Sequence, residues 1–228
     1  MSIEIERRMN TEIERRWLVI PKFTKYLEAK NISHEHIKQY YFTRPESDTA
    51  VRMRVVDDMQ VFLTIKSGAG MVRNELEFKI FEGDVAPFAA AFQPLLLAGK
   101  IGAVPQQIAK ISKTRYQLFI EDGRTKELWG ALLDIFGDRI VSPAILDGQV
   151  NSPICIIEIE FGSEYAAKAF VAPEWFGFEI TGMNEYSNQA LAWNGLPDRF
   201  TADIQHSYGY SWEALSQADA TALLLKKD

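Results

Sequence analysis

Hydrophobic and polar residues alternate along most of the chain up to about residue 161, with short interruptions at turn residues. A period of two residues is typical of β-strands, because successive side chains point to opposite faces of a sheet. The segments that show this pattern are residues 12–20, 38–43, 50–57, 60–66, 72–81, 110–121, 128–136 and 154–161. The pattern predicts a sheet of mainly antiparallel strands.

Further segments have the spacing of apolar residues that is typical of short amphipathic helices. They are residues 22–30, 84–98, 163–171, 184–193 and 211–226. Antiparallel strands with a few helices indicate an α+β protein, and we expect the helices to pack outside the sheet. The length of 228 residues suits one main domain, which we place at residues 1–193, followed by a C-terminal tail at 194–228 with an amphipathic helix.

Charged residues recur on one face of six of the predicted strands. The residues that share a face within a strand are Glu12, Glu14 and Arg16; Arg52 and Arg54; Thr64 and Lys66; Arg73, Glu75, Glu77 and Lys79; Lys113 and Arg115; and Glu158 and Glu160. In a single strand this pattern would indicate only a solvent-exposed face. Its recurrence in six strands favours a closed barrel whose interior carries the charges, with the apolar faces packed under outer helices.

Such an interior would be costly to dehydrate, so we expect it to hold water or an ionic ligand. Pairs of carboxylates suit a hard divalent cation such as Mg²⁺ or Mn²⁺. Rows of Arg and Lys suit a long polyanion, because guanidinium groups bind phosphoryl oxygens in pairs and ammonium groups act as point charges. A metal-bound polyphosphate needs both kinds of side chain.

Composition excludes several other classes of protein. The net charge of −6 argues against a general nucleic-acid binder. The most apolar segment, PLLLAG at residues 94–99, is too short to span a bilayer, so no membrane association is expected. A single cysteine, Cys155, cannot form an internal disulfide, and we expect a cytoplasmic protein.

Several short motifs occur in a fixed order along residues 12–192. They are EIERRWLV at 12–19, QYY at 39–41, RMR at 52–54, TIK at 64–66, RNELE at 73–77, KTRY at 113–116, LDIF at 133–136, EIEF at 158–161, and WFGFEIT at 175–181 with YSN at 186–188 and LA at 191–192. Together they resemble the triphosphate tunnel metalloenzymes, also called CYTH proteins. Each motif is weak alone, but the order makes the resemblance strong.

The resemblance implies an eight-stranded antiparallel β-barrel that binds a triphosphate and a divalent metal, Mg²⁺ or Mn²⁺. Three sets of residues follow from the matched motifs. The metal ligands would be Glu12, Glu14, Glu158 and Glu160. The ligands of phosphoryl oxygens would be Arg52, Arg54, Lys66, Arg73, Lys113 and Arg115. The catalytic residues would be Arg16, Glu75 and Glu77. Of these, Glu75 and Glu77 would orient the attacking water or a second metal.

This chain departs from the family pattern at several positions. Arg16 replaces the lysine of the first motif, Leu132 replaces an acidic residue upstream of Asp134, and Met183 and Asn184 replace an acidic residue and a lysine. These changes favour, as an alternative to catalysis, a binding module for polyphosphate or a nucleoside triphosphate.

The function that the motifs favour is metal-dependent hydrolysis of a triphosphate, with inorganic tripolyphosphate as the first choice. The QYY, RNELE and closing motifs resemble bacterial inorganic triphosphatases more than class IV adenylyl cyclases, which stay a further alternative. The expected partner is therefore a small-molecule polyphosphate. RNA triphosphatase activity is less favoured because the acidic net charge gives little attraction for RNA. A homodimer is compatible with the pattern.

The word EIERR occurs twice, at residues 4–8 and 12–16. The second copy continues into the apolar run WLVI and is assigned to the barrel. The first copy has no such continuation, so residues 1–8 are expected to be an extension whose removal leaves activity intact. Because the copies are offset by an even number, the first copy could occupy the same faces after a register slip.

Overall fold

Eight long antiparallel strands close into a barrel in the computed structural model of the chain. The structure describes residues 7–19, 27, 32–68, 71–90, 100–101, 104–105, 108–137, 154–173 and 175–203. The barrel strands are β1 (Arg7–Val19), β2 (His34–Tyr41), β3 (Thr49–Val56), β4 (Gln60–Ser67), β5 (Val72–Glu82), β8 (Ala109–Glu121), β9 (Leu128–Phe136) and β10 (Cys155–Glu160). A separate two-stranded ladder joins β6 (Lys100–Ile101) to β7 (Val104–Pro105). The predicted fold class, an α+β protein with an antiparallel barrel, is confirmed.

The order of strands around the barrel is β1, β10, β9, β8, β2, β3, β4 and β5, and β5 pairs back to β1. The first strand closes the ring because its two halves have different partners. Its residues from Arg7 to Ile13 pair with β5, and those from Glu14 to Val19 pair with β10. Residue Glu12 lies opposite Arg73, and Glu14 lies opposite Glu160.

Two strands, β1 and β2, begin several residues earlier than the alternation predicts. β1 begins at Arg7, so the end of the first EIERR copy is part of the barrel, where Arg7 pairs with Phe78 and Arg8 with Glu77. The predicted start of this strand at residue 12 was therefore too late, while the interpretation of residues 1–8 as an extension stays a prediction. β2 begins at His34 and ends at Tyr41, because β8 extends far enough to pair with it along this whole length. The division between a main domain and a tail stays a prediction.

Helices are few and short in the described part of the chain. Helix α1 spans Glu164–Ala169, and Ser163 is its N-cap. The Ser163 hydroxyl accepts a hydrogen bond from the Ala166 amide. A 3₁₀ turn at Asn184–Tyr186 leads into α2 (Asn188–Asn194), which Ser187 caps in the same way. Residues 27, 85–90 and 200–203 are also helical. The helix predicted at 211–226 lies outside the described residues.

The outer apolar face of the barrel packs under α1 and the segment that follows it. Trp17, Leu133 and Ile157 are almost fully buried there, together with Phe170 and Phe176. The ring of Trp17 lies 5.0 Å from that of Phe176 and 5.8 Å from that of Phe170. This burial holds the charged face of β1 inward, because a one-residue slip would exchange the two faces.

The inward-facing rows change from charged to apolar toward one end of the barrel. Leu18 follows Arg16 on this face, Ile156 precedes Glu158, and Phe136 follows Asp134. These apolar residues form a buried cluster with Tyr186 and Leu191, from the 3₁₀ turn and α2. The cluster packs one end of the barrel and leaves the charged rows in its middle.

The described part of the chain contains no helix with the length and apolar character needed to cross a membrane.

Deleting residues 1–10 should lower the free energy of unfolding by about 1–3 kcal/mol, because it removes the ladder between Arg7–Asn10 and β5. Deleting residues 1–6 keeps that ladder and is the matched control. Urea denaturation of the two truncated proteins and the full chain measures the difference. Equal stability of both truncated proteins would show that this part of β1 contributes nothing.

Candidate active site

A cavity of about 1010 Å³ occupies the middle of the barrel. Its lining includes all but one of the residues proposed from the sequence. These are Glu12, Glu14, Arg16, Arg52, Arg54, Lys66, Arg73, Glu75, Glu77, Arg115, Glu158 and Glu160. The closed ring brings together side chains from six strands, and the alternation places each of them on the inner face. We refer to this space as the tunnel cavity.

Three side chains from β1, β4 and β5 share one network in the tunnel cavity. The ammonium group of Lys66 lies 2.6 Å from a carboxylate oxygen of Glu12 and 2.8 Å from one of Glu75. Burial and the hydrogen bond with Glu75 raise the pKa of Glu12 to about 7. The pKa of Glu75 falls to about 2, although burial opposes this, because Glu12 and Lys66 donate hydrogen bonds to it. The two neighbouring carboxyl groups therefore differ in acidity, and Glu12 is the one that takes up a proton first as the pH falls.

Arginines from β3 face the carboxylates of β5. Arg54 donates to Glu77 at 2.8 Å, and the hydroxyl of Thr64 donates to the other oxygen of Glu77 at 3.1 Å. Arg52 is buried and lies 3.8 Å from Glu75, and its guanidinium also donates to the hydroxyl of Tyr41 at 3.4 Å. Burial and the nearby charge of Arg52 lower the pKa of Arg54.

The remaining carboxylates come from β1 and β10. Glu14 is buried and pairs with Arg73. Glu158 lies 2.9 Å from Arg16 and 3.3 Å from Arg115, and these cations keep its pKa well below the usual range even though burial opposes this. Glu160 is exposed and has no ion-pair partner among the described residues. Its Cα lies directly opposite that of Glu14.

Lys113 is the one proposed residue that does not line the tunnel cavity. Its side chain and that of Asp134 are fully buried, and its ammonium group donates to Asp134. Arg115 donates to both carboxylate oxygens of Asp134, each at 2.7 Å. Burial, followed by the charge of Arg115, lowers the pKa of Lys113 to about 7. Asp134 therefore holds two basic residues, and only Arg115 reaches the cavity.

Several hydrogen-bond donors in this region have no acceptor. The buried Nε atoms of Arg52, Arg54 and Arg73 lack a hydrogen-bond partner among the described residues, whereas the Nε of Arg16 lies 2.9 Å from the Glu158 carboxylate. An unsatisfied buried donor is costly, and a charged one costs more. An anion with several oxygens, inside the tunnel cavity, would accept these hydrogen bonds. The chemistry of the site therefore favours a polyanionic ligand.

The carboxylates also suit a divalent cation, although they do not converge on one point. No group of three or more His, Cys, Asp or Glu residues in the described part of the chain has the geometry of a metal site. Most carboxylates are turned toward a basic partner instead, as Glu12 is toward Lys66. Two observations nevertheless fit a cation: Glu160 has no such partner and lies across from Glu14, and burial together with the neighbouring Glu75 raises the pKa of Glu12. Hard oxygen ligands of this kind are those that Mg²⁺ and Mn²⁺ prefer.

Sequence reasoning missed residues that support the proposed ones. Tyr41 links Arg52 to Gln39, and Thr64 holds Glu77. Both lie on inward positions of strands, so their spacing from Arg and Lys residues was a usable signal. Residues 45–48 line the cavity from a loop, and no strand period could have indicated them.

The departures from the family pattern all line the tunnel cavity. Leu132 lies directly opposite Glu158 in the ladder between β9 and β10. Met183 and Asn184 line the cavity just before and within the 3₁₀ turn. An acidic residue at position 132 would have added a carboxylate beside Glu158, so its absence lowers the negative charge on this wall.

A closed antiparallel barrel whose interior pairs carboxylates with arginines and lysines defines a protein with a charged tunnel for a polyanion. Residues 10–179 match the model of the CYTH domain. The chain therefore belongs to the CYTH family, that of the triphosphate tunnel metalloenzymes, whose members depend on a metal ion.

Similarity to individual proteins covers most of the chain. An inorganic triphosphatase of Nitrosomonas europaea is 34% identical over 182 residues, which are 80% of this chain and 97% of that protein. A solved structure described as the inorganic triphosphatase NE1496 is 28% identical and covers 82% of this chain and 98% of its own, with a TM-score of 0.47.

Replacing Asp134 by asparagine should lower the free energy of unfolding by about 3–5 kcal/mol, because a buried ion pair loses one partner. Lys113→Met is the comparison variant. It should cost less, since Asp134 keeps its two hydrogen bonds from Arg115. Chemical denaturation of both variants tests this order of stability, and a larger loss in Lys113→Met would contradict the arrangement.

Glu12 should make stability depend on pH. Its pKa is raised in the folded protein, so the folded state holds a proton that the unfolded state has released between about pH 4.5 and pH 7. Stability from this group is therefore present below pH 4.5 and is lost as the pH rises to about 7. Relative to Glu12→Gln, and without added metal, the wild-type protein should lose about 1–2 kcal/mol over this interval, after allowance for screening by water. Urea denaturation across this range measures the difference, and parallel profiles would contradict it.

Proposed function

We propose that the protein hydrolyses inorganic tripolyphosphate in the tunnel cavity, with Mg²⁺ or Mn²⁺ as the metal. The observation that carries this proposal is that arginines and lysines line one cavity of the barrel beside rows of carboxylates, and that three of these arginines have an Nε with no acceptor among the described residues. The inorganic triphosphatase of Nitrosomonas europaea supports the choice of substrate, since its similarity extends over 80% of this chain.

Binding would exchange ion-pair partners rather than leave charges unpaired. In the structure Arg54 is paired with Glu77, and Lys66 is paired with Glu12 and Glu75. A metal-bound triphosphate offers phosphoryl oxygens to the basic groups and positive charge to the carboxylates at the same time. An anion alone would leave the carboxylates uncompensated in a poorly hydrated space. This is the physical reason for expecting the metal and the triphosphate to bind together.

The basic residues divide into those that contact substrate and those that hold others in place. Arg52, Arg54 and Arg73, with Lys66 and Arg115, line the cavity and would bind phosphoryl oxygens. Lys113 is buried behind Asp134, so we assign it to positioning, through the carboxylate that also holds Arg115. This differs from the direct binding role that the family resemblance implies for Lys113.

The carboxylates would serve two purposes. Glu12, Glu14 and Glu160 would hold the metal, with Glu158 beside them between its two arginines. When bound, the cation would supply charge neutralisation on the phosphoryl oxygens. Glu75 and Glu77 lie on β5, across from the arginines of β3, where they could orient a water molecule.

Hydrolysis would proceed by in-line attack of water on a terminal phosphorus, with a loose transition state whose charge lies on the peripheral oxygens. The guanidinium groups of Arg52 and Arg54 would stabilise that charge, because both line the cavity and Arg52 is also hydrogen-bonded to Tyr41. Positioning of substrate and water in the closed barrel would supply much of the remaining rate enhancement.

The cytoplasm is the location we propose, on the basis of a single cysteine that lies buried within the barrel wall. Burial raises the pKa of the Cys155 thiol, which keeps it protonated and unreactive.

Replacing Glu160 by glutamine should reduce metal-dependent phosphate release from tripolyphosphate by at least about 100-fold, which is the loss typical of a removed charge at a reacting centre. Stability should hardly change, because this exposed side chain has no ion pair in the described structure. Glu127→Gln, at an exposed carboxylate in the loop between β8 and β9 that does not line the tunnel cavity, removes the same charge and is the matched control.

The same assay should compare tripolyphosphate, ATP, thiamine triphosphate and triphosphate-ended RNA, each with Mg²⁺ and with Mn²⁺. We expect the highest kcat/KM for tripolyphosphate and no turnover without metal. Tight binding of tripolyphosphate without hydrolysis under any of these conditions would show a binding module instead of an enzyme. Full activity of a folded Glu160→Gln variant would remove Glu160 from the site.

A further inference from the structure

The guanidinium group of Arg16 is held by two elements that are far apart in sequence. Its Nε lies 2.9 Å from Glu158 on β10, and its Nη2 donates to the backbone carbonyl of Tyr186 at 3.0 Å. The backbone of the same residue bonds to the same segment, since the Arg16 amide donates to the Thr181 hydroxyl and the Ile180 amide donates to the Arg16 carbonyl. Arg16 is thus attached to the 180–186 segment at three points.

Tyr186 is itself fixed from behind. Its side chain is fully buried, and its hydroxyl donates to Asp203 at 2.7 Å. Burial and the Asp203 carboxylate raise the pKa of Tyr186, so the hydroxyl remains a donor. Arg199 donates to the same oxygen of Asp203 at 2.8 Å, and Phe200 packs in the same apolar cluster as Tyr186. These contacts leave the Tyr186 carbonyl little freedom to move.

An arginine suits this arrangement better than a lysine does. The guanidinium group has donors on separate nitrogens in a rigid plane, so it can face Glu158 and the Tyr186 carbonyl at once. Its Nη1 has no hydrogen-bond partner among the described residues, and Arg16 lines the tunnel cavity. A lysine has one ammonium group on a flexible chain and could not hold both contacts while also presenting a donor in a fixed direction.

From these contacts we infer that Tyr186 and Asp203 are positioning residues, which set the direction in which Arg16 presents its free nitrogen to a phosphoryl oxygen. The inference rests on the proposed function, because it assumes a polyphosphate in the cavity. It assigns a role to Asp203, in the segment after α2, because Asp203 is hydrogen-bonded to Tyr186 and Tyr186 is hydrogen-bonded to Arg16. Neither residue touches the substrate in this arrangement, and both act through Arg16.

A double-mutant cycle tests this inference. Tyr186→Phe removes the hydroxyl and should lower kcat for tripolyphosphate about tenfold, since Arg16 loses its fixed direction. In an Arg16→Lys background the same change should alter kcat less than twofold, because there is no guanidinium left to orient. The dissociation constant for tripolyphosphate, measured by calorimetry with metal present, gives a second cycle on the same four proteins.

Two control variants separate positioning from general loss of stability. Asp203→Asn keeps an oxygen that accepts the Tyr186 hydrogen bond and should retain kcat within about twofold of wild type. Ile111→Val shortens another side chain of the same apolar cluster without touching the hydrogen-bonded chain, so it should lower the melting temperature and leave kcat unchanged.

Equal effects of Tyr186→Phe in both backgrounds, or an effect on melting temperature alone, would overturn the inference. Wild-type protein that binds tripolyphosphate without hydrolysing it would refute the proposed function, while the cycle on the dissociation constant would still decide the role of Tyr186. Protein that neither binds nor hydrolyses tripolyphosphate would refute both.

Discussion

The cost of placing charges inside a barrel governs the structure of this protein. Carboxylates and basic side chains that leave bulk water must find partners, and the interior of the barrel is arranged so that almost every carboxylate faces a cation. Lys66 lies between Glu12 and Glu75, and Glu158 lies between Arg16 and Arg115. The outer apolar face supplies the compensating stabilisation, through the burial of residues such as Trp17 and Leu133. The charged interior is therefore tolerated because the surrounding core is extensive.

The balance of positive and negative side chains in the tunnel cavity makes the site selective for a ligand that carries both signs of charge. A ligand of a single sign would have to separate existing ion pairs and leave half of them unpaired, whereas a metal-bound triphosphate replaces both kinds of partner. The unbonded Nε groups of the arginines show where additional acceptors are still needed. A protein of this kind can remain folded without its ligand and still gain favourable interactions when the ligand enters.

Alternation in the sequence was sufficient to predict the barrel and the inner face of each strand. A period of two residues is a local property, and it survives folding because the opposite face is buried by residues such as Ile157 and Ile159. The predicted cavity residues agree with the structure for the same reason. Lys113 shares the inward face yet lies behind Asp134, and the alternation contained no information about depth along the barrel axis.

Other features depended on contacts between distant strands. The start of β1 at Arg7 is set by the length of β5, and the pairing of Arg73 with Glu14 is set by the stagger of the closed ring. The raised pKa of Glu12 beside Glu75 depends on two strands meeting there, which a one-dimensional pattern does not specify. Sequence therefore indicated which residues face inward, and only the three-dimensional arrangement indicated which of them neutralise one another.

The change of partner within β1 makes the tunnel cavity depend on the closure of the barrel. Ile13 pairs with β5 and the next residue, Glu14, pairs with β10, so the carboxylates of this strand stand on both sides of the seam that closes the ring. An open sheet would hold Glu12 near β5 or Glu14 near β10, but not both in one cavity. Only the closed ring therefore brings both carboxylates into one cavity with their basic partners.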